Sequence, residues 1–143
     1  MIKRAFVNGE EIPRKAIEHE FDRLVRLYAE NGVPGEELKG SVEKLLMQAQ
    51  EQAIGAKLVL MRAQDLGITP DELVSRTSSG TPDPSEAEME AFYRANKSTF
   101  GDAQYVQVQT KIRDFLRHAA RGKVLSAFVA ELREKAKIEY RDA

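Results

Sequence analysis

The chain has 143 residues, 42% hydrophobic and 31% charged, a balance that belongs to a folded globular protein and excludes a wholly disordered one. Its 22 Lys and Arg against 23 Asp and Glu leave a formal net charge of −1, so no global field draws it to nucleic acid or an anionic membrane, and any charged partner must be met locally. The absence of Cys excludes disulfides, thiolate nucleophiles and Cys-built zinc sites.

The opening Met-Ile-Lys-Arg-Ala-Phe-Val lacks the apolar core of about 7–15 residues that marks a secretion signal. The compartment stays open between a cytosolic protein and an exported one whose signal has been removed. The longest apolar run, Ala56 to Met61, is interrupted by Lys57 and falls far short of the roughly 20 residues that span a bilayer, so no membrane span is expected.

Ala5 to Val7 followed by Asn8-Gly9 predicts a short strand entering a turn, because Asn and Gly accept positive φ. Pro13 suits the first turn of a helix, and Ile17, Phe21, Leu24 and Tyr28 then share one helical face until Asn31-Gly32 ends it near Glu30. Pro34 and Gly35 restart the chain. Apolar residues then recur at helical spacing from Leu38 through Leu45, Leu46, Ala49, Ala53, Val59 and Leu60 to Ala63, with Gly67 as the stop, which predicts one long helix or two collinear ones. Gly55 inside that stretch costs about 1 kcal/mol against Ala and marks either close packing or a bend.

Thr69-Pro70-Asp71-Glu72 has the spacing of a capping box for a short helix carrying Leu73 and Val74. Residues 78–85, small, polar and Pro-containing, read as a linker between helical subregions of a single domain over 1–143. Thr81 or Asp83 is expected to cap the next helix, whose acidic start favours the positive helix end and whose Met89, Phe92 and Tyr93 form its apolar face. The pattern loosens over 96–101.

From about Asp102, Val108, Ile112, Phe115, Leu116, Val124, Phe128, Leu132 and Ala136 keep helical spacing almost to the end of the chain. About 30 residues of helix reach roughly 45 Å, longer than a compact globule of this size accommodates without the helix projecting or bridging. Lys137-Ile138-Glu139-Tyr140 then alternates with the period of a strand, and its only comparable partner is Ala5 to Val7. The expected fold is mainly α, with long second and C-terminal helices and a minor two-stranded antiparallel sheet that pairs the chain ends.

No constellation points to catalysis. His19 and His118 lie about 100 residues apart; where a metal site would want Glu or His, His19 has only Asp22 and Arg23 at i+3 and i+4, and His118 reads as a helix-surface pair with Asp114, so no metal site is expected. There is no G-x-S-x-G turn, no Gly-rich phosphate loop and no H-E-x-x-H, and neighbouring acids such as Glu10-Glu11 and Glu36-Glu37 diverge on a helix. Catalytic residues, cofactor and metal are all expected to be absent. Arg113, Arg117 and Arg121 recur every four residues and share one face of the last helix. The first reading is a solvated face, ahead of a protein contact, with nucleic-acid binding the weakest because the neutral overall charge and the absence of a reading motif argue against it.

Val7-Asn8-Gly9-x-x-Ile12, the Ala53 to Leu60 stretch, Ala63-x-x-Leu66-Gly67-Ile68 before the capped helix, Pro84-x-x-x-Glu88-x-x-x-Phe92-Tyr93 and Leu132-x-x-x-Ala136-Lys137-Ile138, taken in that order, resemble the N-terminal chaperone domain of SurA/PrsA-type parvulin chaperones. The resemblance implies that the first and last strands pair and that helices from both ends co-fold, in a periplasmic or exported protein. It also exposes a departure: after Asn96-Lys97-Ser98-Thr99-Phe100 the chain passes through Gly101-Asp102 straight into the closing helix, where the family inserts its parvulin isomerase module. Prolyl isomerisation is therefore not expected.

What the resemblance implies is a binder of unfolded or extended polypeptide through an apolar groove, with Leu24, Tyr28, Leu46, Leu60, Phe92, Tyr93, Phe115 and Phe128 as candidate contacts. The competing reading makes these residues core. A structural or adaptor homodimer, with a terminal strand or helix exchanged between copies, is the alternative from another class.

Overall fold

The computed structural model describes residues 2–143. Its elements run β1 (Arg4–Val7), β2 (Glu10–Glu11), α1 (Arg14–Glu30), α2 (Gly35–Gly40), α3 (Val42–Leu66), α4 (Pro70–Ser78), α5 (Glu86–Ala95), α6 (Lys97–Phe100), α7 (Tyr105–Lys135) and β3 (Ile138–Arg141). The fold is mainly α with a minor antiparallel sheet that joins the chain ends, as expected. The sheet has three strands instead of two, in the order β2-β1-β3.

The third strand follows from the turn. Asn8 and Gly9 adopt φ of 50° and 85°, and Val7 pairs with Glu10, so a two-residue loop folds the chain straight back on β1. The same Asn8 also holds the other end of the protein: its N–H donates to the Lys137 carbonyl at 2.8 Å, and its Oδ1 accepts from the Lys137 N–H at 2.8 Å. Beyond this clamp Val7 faces Ile138, Phe6 faces Glu139, Ala5 faces Tyr140 and Arg4 faces Arg141.

The contacts divide into two compact units, residues 1–70 with 129–143 and residues 71–128. In the first, α1 packs against α3. Ala49, Ala53, Ile54 and Leu58 of α3 meet Ile17 and Leu24 of α1 and the inward side chains Ala5 and Val7 of β1, all buried. Full burial of a side chain such as Ile54 contributes about 1.5–3 kcal/mol, so this cluster carries the unit. Gln50 is a buried polar side chain on the same face, and its Nε2 donates to the Lys3 carbonyl at 2.6 Å, which holds the entry to β1 on α3. Gly55 marks close packing: a Cβ there would lie 3.3 Å from Cγ1 of Val129, near the end of α7.

The helical stretch expected from Leu38 onward is broken at Ser41 into α2 and α3. Gly67, at φ 69°, ends α3 in the left-handed conformation that glycine adopts without steric cost.

In the second unit Met89 on α5 and Val108 and Ile112 on α7 form a small buried cluster. Its surroundings are aromatic, with Phe92 lying 5.2 Å from Phe115 and 6.3 Å from Phe100, and Tyr93 lying 5.6 Å from Phe100 and 5.7 Å from Tyr105. The Tyr93 hydroxyl donates to the Ala103 carbonyl at 2.6 Å. The cap of α5 is Ser85, whose Oγ accepts from the Glu88 N–H at 3.1 Å, and not Thr81 or Asp83. Asp83 instead pairs with Arg117 at 2.8 Å. No described helix is long and apolar enough to cross a membrane.

Candidate polypeptide-binding surface

The first unit carries a cavity of about 650 Å³ where the start of β1, the end of β2, the first turns of α1 and α3 and the C-terminal Ala143 converge. Its apolar lining comes from Ile2, Ile12, Ile17, Val42 and Leu46. Local sequence explains the convergence. The Asn8-Gly9 turn returns the chain so that Ile12 lies beside β1, Pro13 then starts α1, and the break at Ser41 starts α3 with Val42 at the same end.

The rim is charged, with Lys3, Arg4 and Arg14 balanced in number by Glu11, Glu18 and Glu43, and four of these six pair with one another. Arg4 faces Glu11 through two side-chain bonds, one of them Nη2 to Oε2 at 3.0 Å, and Arg14 pairs with Glu18 at 3.3 Å. The Glu11 carboxyl is held below its ordinary range, chiefly by the hydrogen bond from Arg4. A compensated rim around an aliphatic floor favours an uncharged apolar group over an ion.

A smaller cavity of about 370 Å³ lies along the same helix pair and shares Ile12 with the first. Leu60, Ala56 and Ala53 of α3 line one side, Pro13, Ala16 and His19 the other. A third, of about 330 Å³, touches Leu24, Leu27 and Gln52 and is framed by Arg23, Arg26 and Glu30.

The residues singled out in the sequence separate sharply. Leu24 is 3% exposed and belongs to the core, where it offers almost no surface. Tyr28 packs against that core, and its hydroxyl donates weakly to Gln48 at 3.4 Å. Leu46 is half-buried and lines the cavity of about 650 Å³, while Leu60, 36% exposed, lines the second. In the second unit Phe92 and Tyr93 pack against the small core, Phe115 meets Phe92 ring to ring at a tilt of 36° yet stays 57% exposed, and Phe128 is half-buried.

The basic face of α7 is not a uniform stripe. Arg117 is committed to Asp83, Arg113 is partly buried, and Arg121 is exposed. Among the described residues no three His, Asp or Glu side chains gather as a metal cluster. Tyr105 is the one phenol held far from its ordinary range: burial, then its hydrogen bond to Glu86 at 2.8 Å, pushes it up to about 12.

Ile2, Ile12, Ile17 and Val42 were not among the sequence candidates. Ile17 keeps the helical spacing of α1 and Val42 opens α3, while Ile2 and Ile12 lie outside any helix, and the terminal strand pairing and the hairpin bring the four together. No protein-family model, no curated protein and no solved structure matches the chain.

Proposed function

We propose that the protein holds unfolded or extended polypeptide segments by their apolar side chains, without catalysis, as a relative of the SurA/PrsA-type chaperone domain that lacks the isomerase module. The observation that carries this reading is the cavity of about 650 Å³ with its aliphatic floor and self-compensated rim. Its size falls within the range of roughly 300–1,000 Å³ typical of ligand sites. The floor takes an apolar side chain of a bound segment, and the second cavity beside Leu60 takes another. Affinity spread over several such weak contacts tolerates many client sequences. The pairing of the first and last strands, which the family resemblance implies, supports the same reading. The commitment of Arg117 to Asp83 weakens the nucleic-acid alternative.

The test is suppression of aggregation of an unfolded client, followed by light scattering. The intact chain suppresses aggregation at near-stoichiometric ratios, and Val42→Glu, at a half-exposed position in the first turn of α3, lowers that suppression by about threefold or more through a charge set over an apolar floor. Val106→Glu, at a highly exposed position on α7, leaves it unchanged. Absence of suppression by the intact chain, or equal suppression by Val42→Glu, rejects the proposal.

A further inference from the structure

We infer that the outer edge of β3 takes up an extended polypeptide segment as a fourth strand of the sheet, and that the favoured segment alternates acidic, apolar, basic, apolar and acidic residues. The inference rests on the polypeptide-binding reading and adds to it a second contact, made through the backbone.

The hydrogen-bonding phase of β3 is set by Asn8, whose N–H bonds the Lys137 carbonyl. Antiparallel ladders alternate hydrogen-bonded and non-hydrogen-bonded pairs, so Glu139 and Arg141 turn their peptide groups toward Phe6 and Arg4 of β1. The bond from Ile12 N–H to the Ala5 carbonyl at 2.8 Å fits this phase, because Ala5, opposite Tyr140, then spends its own peptide groups on β2. Ile138 and Tyr140 therefore direct their N–H and C=O groups away from β1. With β3 at the end of the order β2-β1-β3, no other strand meets them among the described residues.

The edge is rigidly presented. The Tyr140 hydroxyl donates to Glu51 Oε1 at 2.6 Å and accepts from Arg133 Nη2 at 2.9 Å, while Arg133 Nη1 pairs with Glu51 Oε2 at 2.8 Å, so α3, α7 and β3 are tied at one point. Glu139 is bonded by Lys137 at 3.1 Å and Arg141 at 3.3 Å, and the Arg141 guanidinium lies 4.3 Å from the centre of the Phe6 ring.

The charges select the occupant. On the face of Phe6, β3 and the residue before it present Lys137, Glu139 and Arg141, and on the inner face Ile138 and Tyr140. A second copy paired antiparallel about Glu139, the register that sets the outward-facing peptide groups of Ile138 and Tyr140 of each copy against each other, would set Glu139 against Glu139 and Lys137 against Arg141 twice. Like charges directly opposite destabilise a sheet, and basic residues are a common guard against edge-to-edge association. A foreign strand with acids opposite Lys137 and Arg141, a base opposite Glu139 and apolar residues opposite Ile138 and Tyr140 meets every position favourably.

The test uses the full chain and the peptide acetyl-Ser-Glu-Val-Lys-Val-Glu-Ser-amide, followed by amide chemical shifts and by exchange protection at Ile138 and Tyr140. Binding perturbs and protects both amides. N-methylation of the two Val nitrogens removes two backbone donors and weakens binding about tenfold, and exchanging the peptide's Glu and Lys residues weakens it about threefold. The triple variant Lys137→Glu, Glu139→Lys, Arg141→Glu keeps the internal ion pairs in reversed sense and inverts the peptide preference. Undisturbed Ile138 and Tyr140 amides, indifference to N-methylation, a preference that does not invert, or occupation of the same edge by a second copy in sedimentation would each overturn the inference. Failure here with aggregation suppression intact removes only the edge. Edge binding without suppression removes the chaperone reading and leaves β3 as a docking strand.

Discussion

The two units solve the problem of a small core differently. The first joins both ends of the chain through Asn8 and buries aliphatic residues from β1, α1 and α3 in one cluster, with Gln50 as its buried polar fastening. The second gathers only Met89, Val108 and Ile112 in its buried cluster, with Leu73 buried apart from it, and relies on a chain of ring contacts from Phe115 through Phe92, Phe100 and Tyr93 to Tyr105. Aromatic pairs add about 0.5–1.5 kcal/mol each beyond area burial, so they support a unit whose aliphatic core is thin. The cavities with apolar lining described above belong to the first unit, where convergent element ends leave gaps that a dense core does not reach.

The largest effect that sharpens this contrast comes from truncating the best-buried residue of each core. Ile54→Ala should cost about 2–5 kcal/mol, toward the upper end because every side of Ile54 is packed, and Ile112→Ala should fall toward the lower end. Hydrogen exchange resolved by unit checks the assignment, and a greater loss at Ile112 would reverse the comparison.

A helix cap comes next. Ser85→Ala removes the acceptor for the Glu88 N–H and should destabilise the second unit by about 1 kcal/mol, seen as faster exchange in α5. Unchanged exchange there would deny the cap its role.

A smaller contrast should appear with pH. Glu11 and Glu139 are held below their ordinary 4.5, chiefly by hydrogen bonds from Arg4 and Lys137, so the stability they add is present above 4.5 and is lost as pH falls through their folded values. Tyr105 is raised from 10.0 to about 12, so its contribution is complete below 10.0 and is lost as pH climbs toward 12. Acid should therefore loosen β1 and β3, and alkali the start of α7. Acid-insensitive exchange in the sheet would contradict the first half, and a phenolate signal from Tyr105 near 10 the second.

Gly55→Ala is the smallest. The gain of about 1 kcal/mol in helix propensity opposes a 3.3 Å contact that Val129 must relieve, so the net change should stay within about 0.5 kcal/mol, whereas Gly55→Val should destabilise clearly. Equal effects of the two in thermal unfolding would remove the close approach as the reason for glycine.

How much of this was legible varied with how local the signal was. Asn8-Gly9 announced its turn, and the orphan strand 137–140 demanded the partner it found at Ala5 to Val7, because an unpaired ladder is costly wherever it is buried. β2 escaped notice since two glutamates carry no strand pattern and pair only because the turn delivers them to β1. The cap at Ser85 was present as Ser85-x-x-Glu88 but stood beside two other oxygen-bearing candidates, Thr81 and Asp83, each followed by a proline. Leu24 and Leu60 have the same helical signature, and which one is buried depends on what lies across the groove. The cavity at Ile2, Ile12, Ile17 and Val42 was illegible for the same reason, being assembled from residues far apart in the chain.

The central claim, that unfolded polypeptide docks on the first unit, is tested most directly by mapping amide and methyl shifts of the intact chain as an unfolded client is added. The account predicts perturbations centred on Ile2, Ile12, Val42 and Leu46, extending to Leu60, with Val106 and Arg121 undisturbed. Perturbations absent from those residues, or confined to Arg113, Arg117 and Arg121, would contradict it.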